Sequence, residues 1–305
     1  MHSSTRILIV GFGDIGERVA KHLVDRYPVS ALVRSAERAG VARSLGVDVI
    51  HGDLSLPDSM HILAGQADVV FHFAPPPGDG VRDTHTRHLL AALARRPLRK
   101  STRAGMLSRR LPRRLVYVST TGVYGDCGGD WIDETRLLRP ATARARRRVD
   151  AEQVLRAWGT RLGVAVSILR APGIYAEDRL PLERLRNGTV ALAAEDDVFT
   201  NHIHAQDLAR AAIAAMRKGK PGRVYNVVDD SGLSMGGYFD RVADAFGLPR
   251  PPRVSRAEAG AHLSPTVLSF MSESRRIGNQ RLKRELCYSL RFPAVDDLLR
   301  EIKRR

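Results

Sequence analysis

The segment Ile7-Leu8-Ile9-Val10-Gly11-Phe12-Gly13-Asp14-Ile15-Gly16 constrains the fold more than any other stretch of this chain. Four consecutive apolar residues read as a strand buried on both faces. The G-x-G-x-x-G spacing then runs into an amphipathic pattern, which predicts a tight turn from strand to helix. Gly11 permits the turn, Gly13 lets the backbone approach a pyrophosphate, and Gly16 lets the helix pack closely on the strand. Free N–H groups at the helix start face the phosphates. Gly11, Phe12, Gly13, Asp14, Ile15 and Gly16 are therefore candidate dinucleotide-binding residues.

The rest of the first half repeats this alternation. Apolar, β-rich runs at Arg6–Val10, Ser30–Val33, Val47–Ile50, Val69–Phe73, Leu115–Ser119 and Ala165–Leu169 read as strands. Between them, Ile15–Asp25, Ala36–Leu45, Pro57–Leu63, Thr84–Ala94 and Ala141–Trp158 carry helical patterns. A further helix at Ala205–Arg217 precedes a strand at Val224–Val228, and Gly236–Phe246 and Asp296–Lys303 read as helices. Such alternation predicts an α/β fold with a doubly wound parallel sheet of Rossmann type. The expected division is a dinucleotide-binding domain over 1–174, to which 203–229 returns, and a smaller C-terminal substrate lobe from 175–202 and 230–305.

Hydrophobic residues make up 43% of the 305, which excludes a disordered chain. No apolar run reaches the length that spans a bilayer. The N-terminal run is too short for a signal-peptide core, and Gly11 breaks it. Cys127 and Cys287 make no disulfide framework. The expectation is a cytoplasmic protein with no membrane partner. The formal charge is +16, but residues 95–114 hold nine Lys or Arg and no acid. With Pro97, Gly105 and Pro112 and no apolar period, this stretch reads as a basic surface loop. It holds no aromatic side chain to stack on bases, so nucleic acid is not the expected partner.

The end of the second strand bears on the choice of cofactor. A carboxylate there binds the ribose 2′-hydroxyl of NAD. This chain has Arg34 and Ser35 instead, a pair suited to a 2′-phosphate, which favours NADP over NAD.

Further motifs follow in order: His51-Gly52-Asp53-Leu54, His72-Phe73-Ala74-Pro75, Tyr117 to Asp126 (YVSTTGVYGD), Arg170 to Tyr175 (RAPGIY), Asn201 to Ala209 (NHIHAQDLA) and Tyr225 to Val228 (YNVV). Together with the glycine-rich turn they resemble the extended and atypical branches of the short-chain dehydrogenase/reductase superfamily, which include nucleotide-sugar epimerases and dehydratases. The resemblance implies that Asp53 receives the adenine amino group and Leu54 flanks the ring. It places Phe73, Ala74 and Pro75 under the nicotinamide ribose, and Pro172 and Gly173 near the nicotinamide amide. It also implies a homodimer through a pair of helices including Ala141–Trp158. Asp207 reads as a helix cap and His204 as a packed histidine.

Catalysis in that superfamily rests on Ser, Tyr and a Lys four residues after the Tyr. Thr120 stands at the Ser position, and its hydroxyl can donate the same hydrogen bond. The Tyr and Lys positions fall on Arg144 and Arg148, and no tyrosine in the chain has Lys four residues on. A guanidinium does not deprotonate near neutral pH, so Arg144 cannot be the general base. Arg148 can still hold ribose hydroxyls. The first glycine of the G-x-x-G-x-x-G form usual in extended members is Val10 here. These departures mark an atypical subgroup. Thr120, Tyr124 and Arg148 are the candidate catalytic residues. Asp133, Glu134, Tyr175 and His202 are weaker ones, with solvated acids, a packed phenol and a packed imidazole as their ordinary readings. No metal-ligand spacing is present.

Two functions are open at this stage, with a weaker third, a polyanion-binding protein using residues 95–114. One is an NADP-dependent oxidoreductase or epimerase/dehydratase-like enzyme acting on a small polar or sugar-like substrate, with basic walls favouring an anionic one. The other is a catalytically degenerate NADP-binding protein that senses redox state or regulates a partner.

Overall fold

The computed structural model describes residues 4–95 and 111–304, so most of the expected basic loop lies outside the described residues. Its centre is a seven-stranded, wholly parallel sheet. The strands are β1 (Ile7–Val10), β2 (Val29–Val33), β3 (Asp48–His51), β4 (Val69–His72), β5 (Arg114–Thr120), Ala165–Ala171 and Arg223–Asn226. Across the sheet the order is β3, β2, β1, β4, β5, Ala165–Ala171, Arg223–Asn226. The chain leaves β1 in one direction and returns to its other side at β4. A crevice therefore opens at the carboxyl ends of β1 and β4, where such sheets bind ligands.

Helices α1 (Asp14–Leu23), α2 (Ala36–Ser44), α3 (Thr84–Ala94) and α4 (Ala143–Leu162), with the helix Ala205–Lys218, cover the two faces. The period of two along β1 decides which side chain goes where. Ile7 and Ile9 join Val19, Leu23 and Leu208 on one face, and Leu8 and Val10 join Leu89, Leu155 and Trp158 on the other. Each such buried aliphatic side chain contributes roughly 1.5–3 kcal/mol relative to exposure.

Several boundaries move by one to four residues, for local reasons. α4 starts at Ala143 because the Thr142 hydroxyl accepts the Ala145 N–H at 3.1 Å, and it ends at Gly163, whose φ is +69°. Pro57–Leu63 is a 3-10 helix with Pro at its start. Asp207 is not the cap expected of it. His204 caps that helix by accepting from Gln206 N at 3.1 Å, with its ring packed 3.9 Å from that of Phe292. The Asp207 carboxylate instead accepts from Tyr288 OH at 2.6 Å, Arg291 N at 2.9 Å and Phe292 N at 2.8 Å, which ties the C-terminal segment to that helix.

A second apolar cluster gathers apart from the sheet. Tyr175, Leu185, Phe239, Val242, Phe292 and Leu298 are among its members. Three short parallel pairs connect it to the rest. Gly173–Tyr175 pairs with His202–His204, Trp131–Ile132 with Arg276–Ile277, and Ala191–Leu192 with Arg253–Val254. The first two bring residues 199–202 and 273–275 against the crevice. Among the described residues no helix is long and apolar enough to cross a membrane.

Candidate active site

The crevice is a cavity of about 890 Å³. Its walls include all the cofactor residues read from the sequence: Gly11 to Gly16, Arg34, Ser35, Asp53, Leu54, Phe73 to Pro75, Pro172 and Gly173. At Gly11 φ is +91°, and a Cβ there would stand 2.3 Å from Ala74 N, so only glycine lets the turn pass the end of β4. A Cβ on Gly16 would stand 2.8 Å from Gly11 O, whereas one on Gly13 would meet nothing within 4 Å. Gly13 thus faces open cavity. It precedes α1 without a side-chain cap, which leaves first-turn N–H groups for a ligand. This uncapped, side-chain-free cradle fits a dinucleotide pyrophosphate.

Beyond β2, the Ser35 hydroxyl caps α2 by accepting from Arg38 N at 3.3 Å. Arg34 is mostly exposed, with Nη1 3.9 Å from Asp53 Oδ2. Asp53 Oδ1 also accepts from Ser55 N at 2.8 Å. Arg38, one turn beyond Arg34, lines the same corner.

At the other end the walls are Thr120, Thr121 and Gly122 after β5, Arg144 and Arg148 on α4, Asn201 and His202, and Glu273 and Arg275. Thr120 Oγ1 accepts from Gly122 N at 3.2 Å, and its own O–H remains a donor. Arg148 Nη1 donates to Tyr117 OH at 2.9 Å and to Val118 O at 3.1 Å, which fixes its guanidinium beside the end of β5. Arg147 turns away and donates to Gly80 O at 2.6 Å. Arg275 Nη1 donates to Gly125 O at 2.8 Å and to Glu273 Oε2 at 2.7 Å. Asn201 holds this segment by donating to Arg275 O at 3.0 Å and accepting from Ile277 N at 2.9 Å. Burial lowers the His202 pKa to about 4, so the imidazole, stacked 4.2 Å from Tyr238, is neutral at pH 7.

The structure moves Tyr124 and Glu134 from their expected surroundings and keeps Tyr175 a packed phenol. Tyr124 does not line the cavity. It is buried, donating to Asn226 Oδ1 at 2.7 Å and accepting from Arg170 Nη1 at 2.9 Å, and burial raises its pKa. Its side chain is consumed in the scaffold because residues 121–124 form a 3-10 turn that folds it under the loop. Glu134 is not a solvated acid. It accepts from Asn226 N at 2.8 Å and lies 3.5 Å from Arg281 Nε. Tyr175 is 1% exposed and packs in the second cluster.

Beneath the site lies a buried ion pair. Arg170 donates to Glu152 from Nη2 at 2.6 Å and from Nε at 3.1 Å, with side chains 4% and 3% exposed. Glu152 also accepts from Ser119 Oγ at 2.6 Å. Arg144, Arg148 and Glu152 succeed one another at four-residue intervals, so α4 carries wall and foundation on one stripe.

Sequence reasoning missed Arg38, Arg179, Asn201, Glu273 and Arg275 on the cavity wall. Arg38 was detectable as a basic residue one helical turn from Arg34. Glu273 and Arg275 carry no local signal, since Arg275 reaches the site through a contact spanning 150 residues. Among the described residues no group of three or more His, Cys, Asp or Glu could hold a metal.

The sheet order and the glycine cradle define a dinucleotide-binding α/β protein. Residues 7–228 match the model of the NAD dependent epimerase/dehydratase family, and the chain belongs to that family. Over 127 residues, 38% of this chain, it is 28% identical to an Arabidopsis thaliana trifunctional UDP-glucose 4,6-dehydratase/UDP-4-keto-6-deoxy-D-glucose 3,5-epimerase/UDP-4-keto-L-rhamnose-reductase. That match spans only 19% of the plant protein. A 4-hydroxy-2-methyl-3-oxo-4-farnesyl-3,4-dihydroquinoline-1-oxide ketoreductase of Stigmatella aurantiaca is 26% identical over 84% of this chain and 78% of its own length. Among solved structures, a conserved protein of unknown function from Silicibacter pomeroyi DSS superposes with a TM-score of 0.78 at 27% identity, covering 99% of both chains.

Proposed function

We propose that the chain is an NADP(H)-dependent oxidoreductase acting on a small polar substrate. The observation that carries this reading is the pairing of an uncapped glycine cradle with Arg34, Ser35 and Arg38 at the end of β2. Two guanidinium groups and a hydroxyl there suit a 2′-phosphate. The family is named for NAD, so this corner is where the chain's own preference is written. A nicotinamide dinucleotide bound here supplies the hydride donor or acceptor. Gly11 to Gly16 hold the pyrophosphate, Asp53 and Leu54 take the adenine, and Pro172 and Gly173 border the nicotinamide end. Thr120 donates to the reacting oxygen, and Arg148 reaches the ribose. The smaller lobe, 175–202 and 230–305, closes the substrate end with Asn201, His202, Glu273 and Arg275. No carboxylate stands in the Thr120–Tyr124 loop. Removal of water from a sugar needs an acid and a base free beside the reacting carbon, and Glu273 at the substrate end is paired with Arg275 at 2.7 Å, so a carbonyl/alcohol interconversion suits this wall better than dehydration.

One observation favours a second reading, a binding protein without turnover. Among the described residues no tyrosine or lysine lines the cavity, and Arg144 cannot exchange a proton. Calorimetric titration with NADPH and with NADH, on the native chain and on Arg34→Ala and Arg38→Ala, tests the cofactor. NADPH should bind more tightly than NADH, and each substitution should weaken NADPH by about tenfold or more while leaving NADH unchanged. Failure to bind either nucleotide would overturn both readings. Hydride exchange with a panel of carbonyl substrates then separates enzyme from binder.

A further inference from the structure

The charges on the cavity wall balance at one end and not at the other. Asp14 faces Arg18 and Arg179, and Asp53 faces Arg34. Glu273 is matched by Arg275. Arg148 is different. It is half-buried, its Nη1 is spent on a phenol and a carbonyl, and among the described residues no carboxylate pairs with it. A cation partly withdrawn from water without a counter-ion is costly.

The helix that carries it adds a second cation at its start and no acid. The N-terminal end of a helix is the positive end of its dipole, where acids are favoured and cations are not. The first turn of α4 contains no acid, while Arg144, Arg146, Arg147 and Arg148 crowd its first two turns. Arg144 and Arg148 are the two that line the cavity, one helical turn apart. Ribose hydroxyls are neutral and leave this charge in place, and an oxidised nicotinamide ring would add to it.

We infer that Arg144 and Arg148 form an oxyanion site, holding a carboxylate or phosphate group of the substrate next to the reacting carbon. This inference rests on the cofactor reading above and narrows its substrate class to small hydroxy or oxo acids, or their phosphorylated counterparts. A neutral sugar ring, with its charge confined to a distant diphosphate, would leave Arg148 without a counter-ion. Each guanidinium offers planar, paired donors that match a carboxylate.

The test uses the full chain saturated with NADP⁺, its affinity measured first, and titrates oxalate and inorganic phosphate by calorimetry. Saturable binding of at least one anion is expected, weakened by about tenfold or more in Arg148→Gln and in Arg144→Gln. Arg161→Gln, on an exposed position near the far end of α4, should change nothing. Arg148→Lys keeps the charge and should retain more affinity than Arg148→Gln, even if the neutral variant folds poorly. Tighter oxalate binding assigns a carboxylate, and tighter phosphate binding assigns a phosphoryl group. If NADP⁺ binds and neither anion saturates, or if both bind regardless of residues 144 and 148, the inference is overturned while the cofactor reading stands. Failure of NADP⁺ itself to bind strikes the cofactor reading instead.

Discussion

Replacing Arg170 by methionine removes one half of the ion pair beneath the site while keeping much of the side-chain volume. Glu152 would then be a carboxylate 3% exposed, left with the single 2.6 Å hydrogen bond from Ser119. Breaking a buried pair from one side costs about 3–5 kcal/mol, because the remaining charge is stranded. Tyr124 also loses its 2.9 Å donor, worth about 1 kcal/mol more. The expected loss is therefore about 4–6 kcal/mol, a large share of the roughly 5–15 kcal/mol that holds a domain together. Equilibrium urea unfolding measures it. The Arg170→Met/Glu152→Met double variant should lose less than Arg170→Met alone, since no charge is stranded. A loss under about 1 kcal/mol for Arg170→Met, or strictly additive single effects, would refute the reasoning.

Gly13→Ala should leave thermal stability near native, since nothing stands within 4 Å of the new methyl, yet weaken NADPH binding by about tenfold or more in a calorimetric titration. Gly11→Ala should instead lower the unfolding midpoint, because its methyl meets the backbone of residue 74 at 2.3 Å from a backbone with φ +91°. Tyr124→Phe should cost about 1–2 kcal/mol in urea unfolding with NADPH affinity unchanged; weakened binding without loss of stability would return the phenol to the site. Acid stability follows from four buried groups. Burial lowers His72 to about 3 and His202 and His204 to about 4, so between pH 6.5 and 4 the unfolded chain binds three protons that the folded one refuses. Burial raises Asp229 to about 7, which works in the opposite direction by one proton. The net two protons predict a loss of about 3 kcal/mol per pH unit as pH falls through that window, measurable by urea titrations at pH 6 and 5.

The dinucleotide end of the cavity was legible because its signals are local. The glycines, the apolar strand before them and Arg34 at the end of β2 lie within short windows, and each residue type answers a backbone or charge requirement at its own position. The helix of α4 was legible by pattern, and the four-residue spacing of Arg144 and Arg148 put both on the cavity side, but the bonds each arginine makes were not legible. Arg147 turns to Gly80, and Arg148 to Tyr117 and Val118, according to packing between elements. The two-residue pairing of Arg276–Ile277 with Trp131–Ile132 has too few residues to show a period, so nothing predicted that Arg275 would reach Gly125. Tyr124 was misplaced for a related reason. Its neighbours Asn226 and Arg170 are 102 and 46 residues away, and only the assembled sheet shows that they claim its hydroxyl.

The seating of Arg275 on Gly125 gives the two ends of the cavity different histories. The phosphate cradle needs β1, β2, β4 and the turns after them, all supplied within the first 76 residues. The wall proposed to meet the substrate waits for a segment 150 residues beyond the carbonyl that receives it. Chains fold from the N-terminus as they leave the ribosome. The order of synthesis therefore puts the glycine cradle in place before the wall that faces it across the cavity.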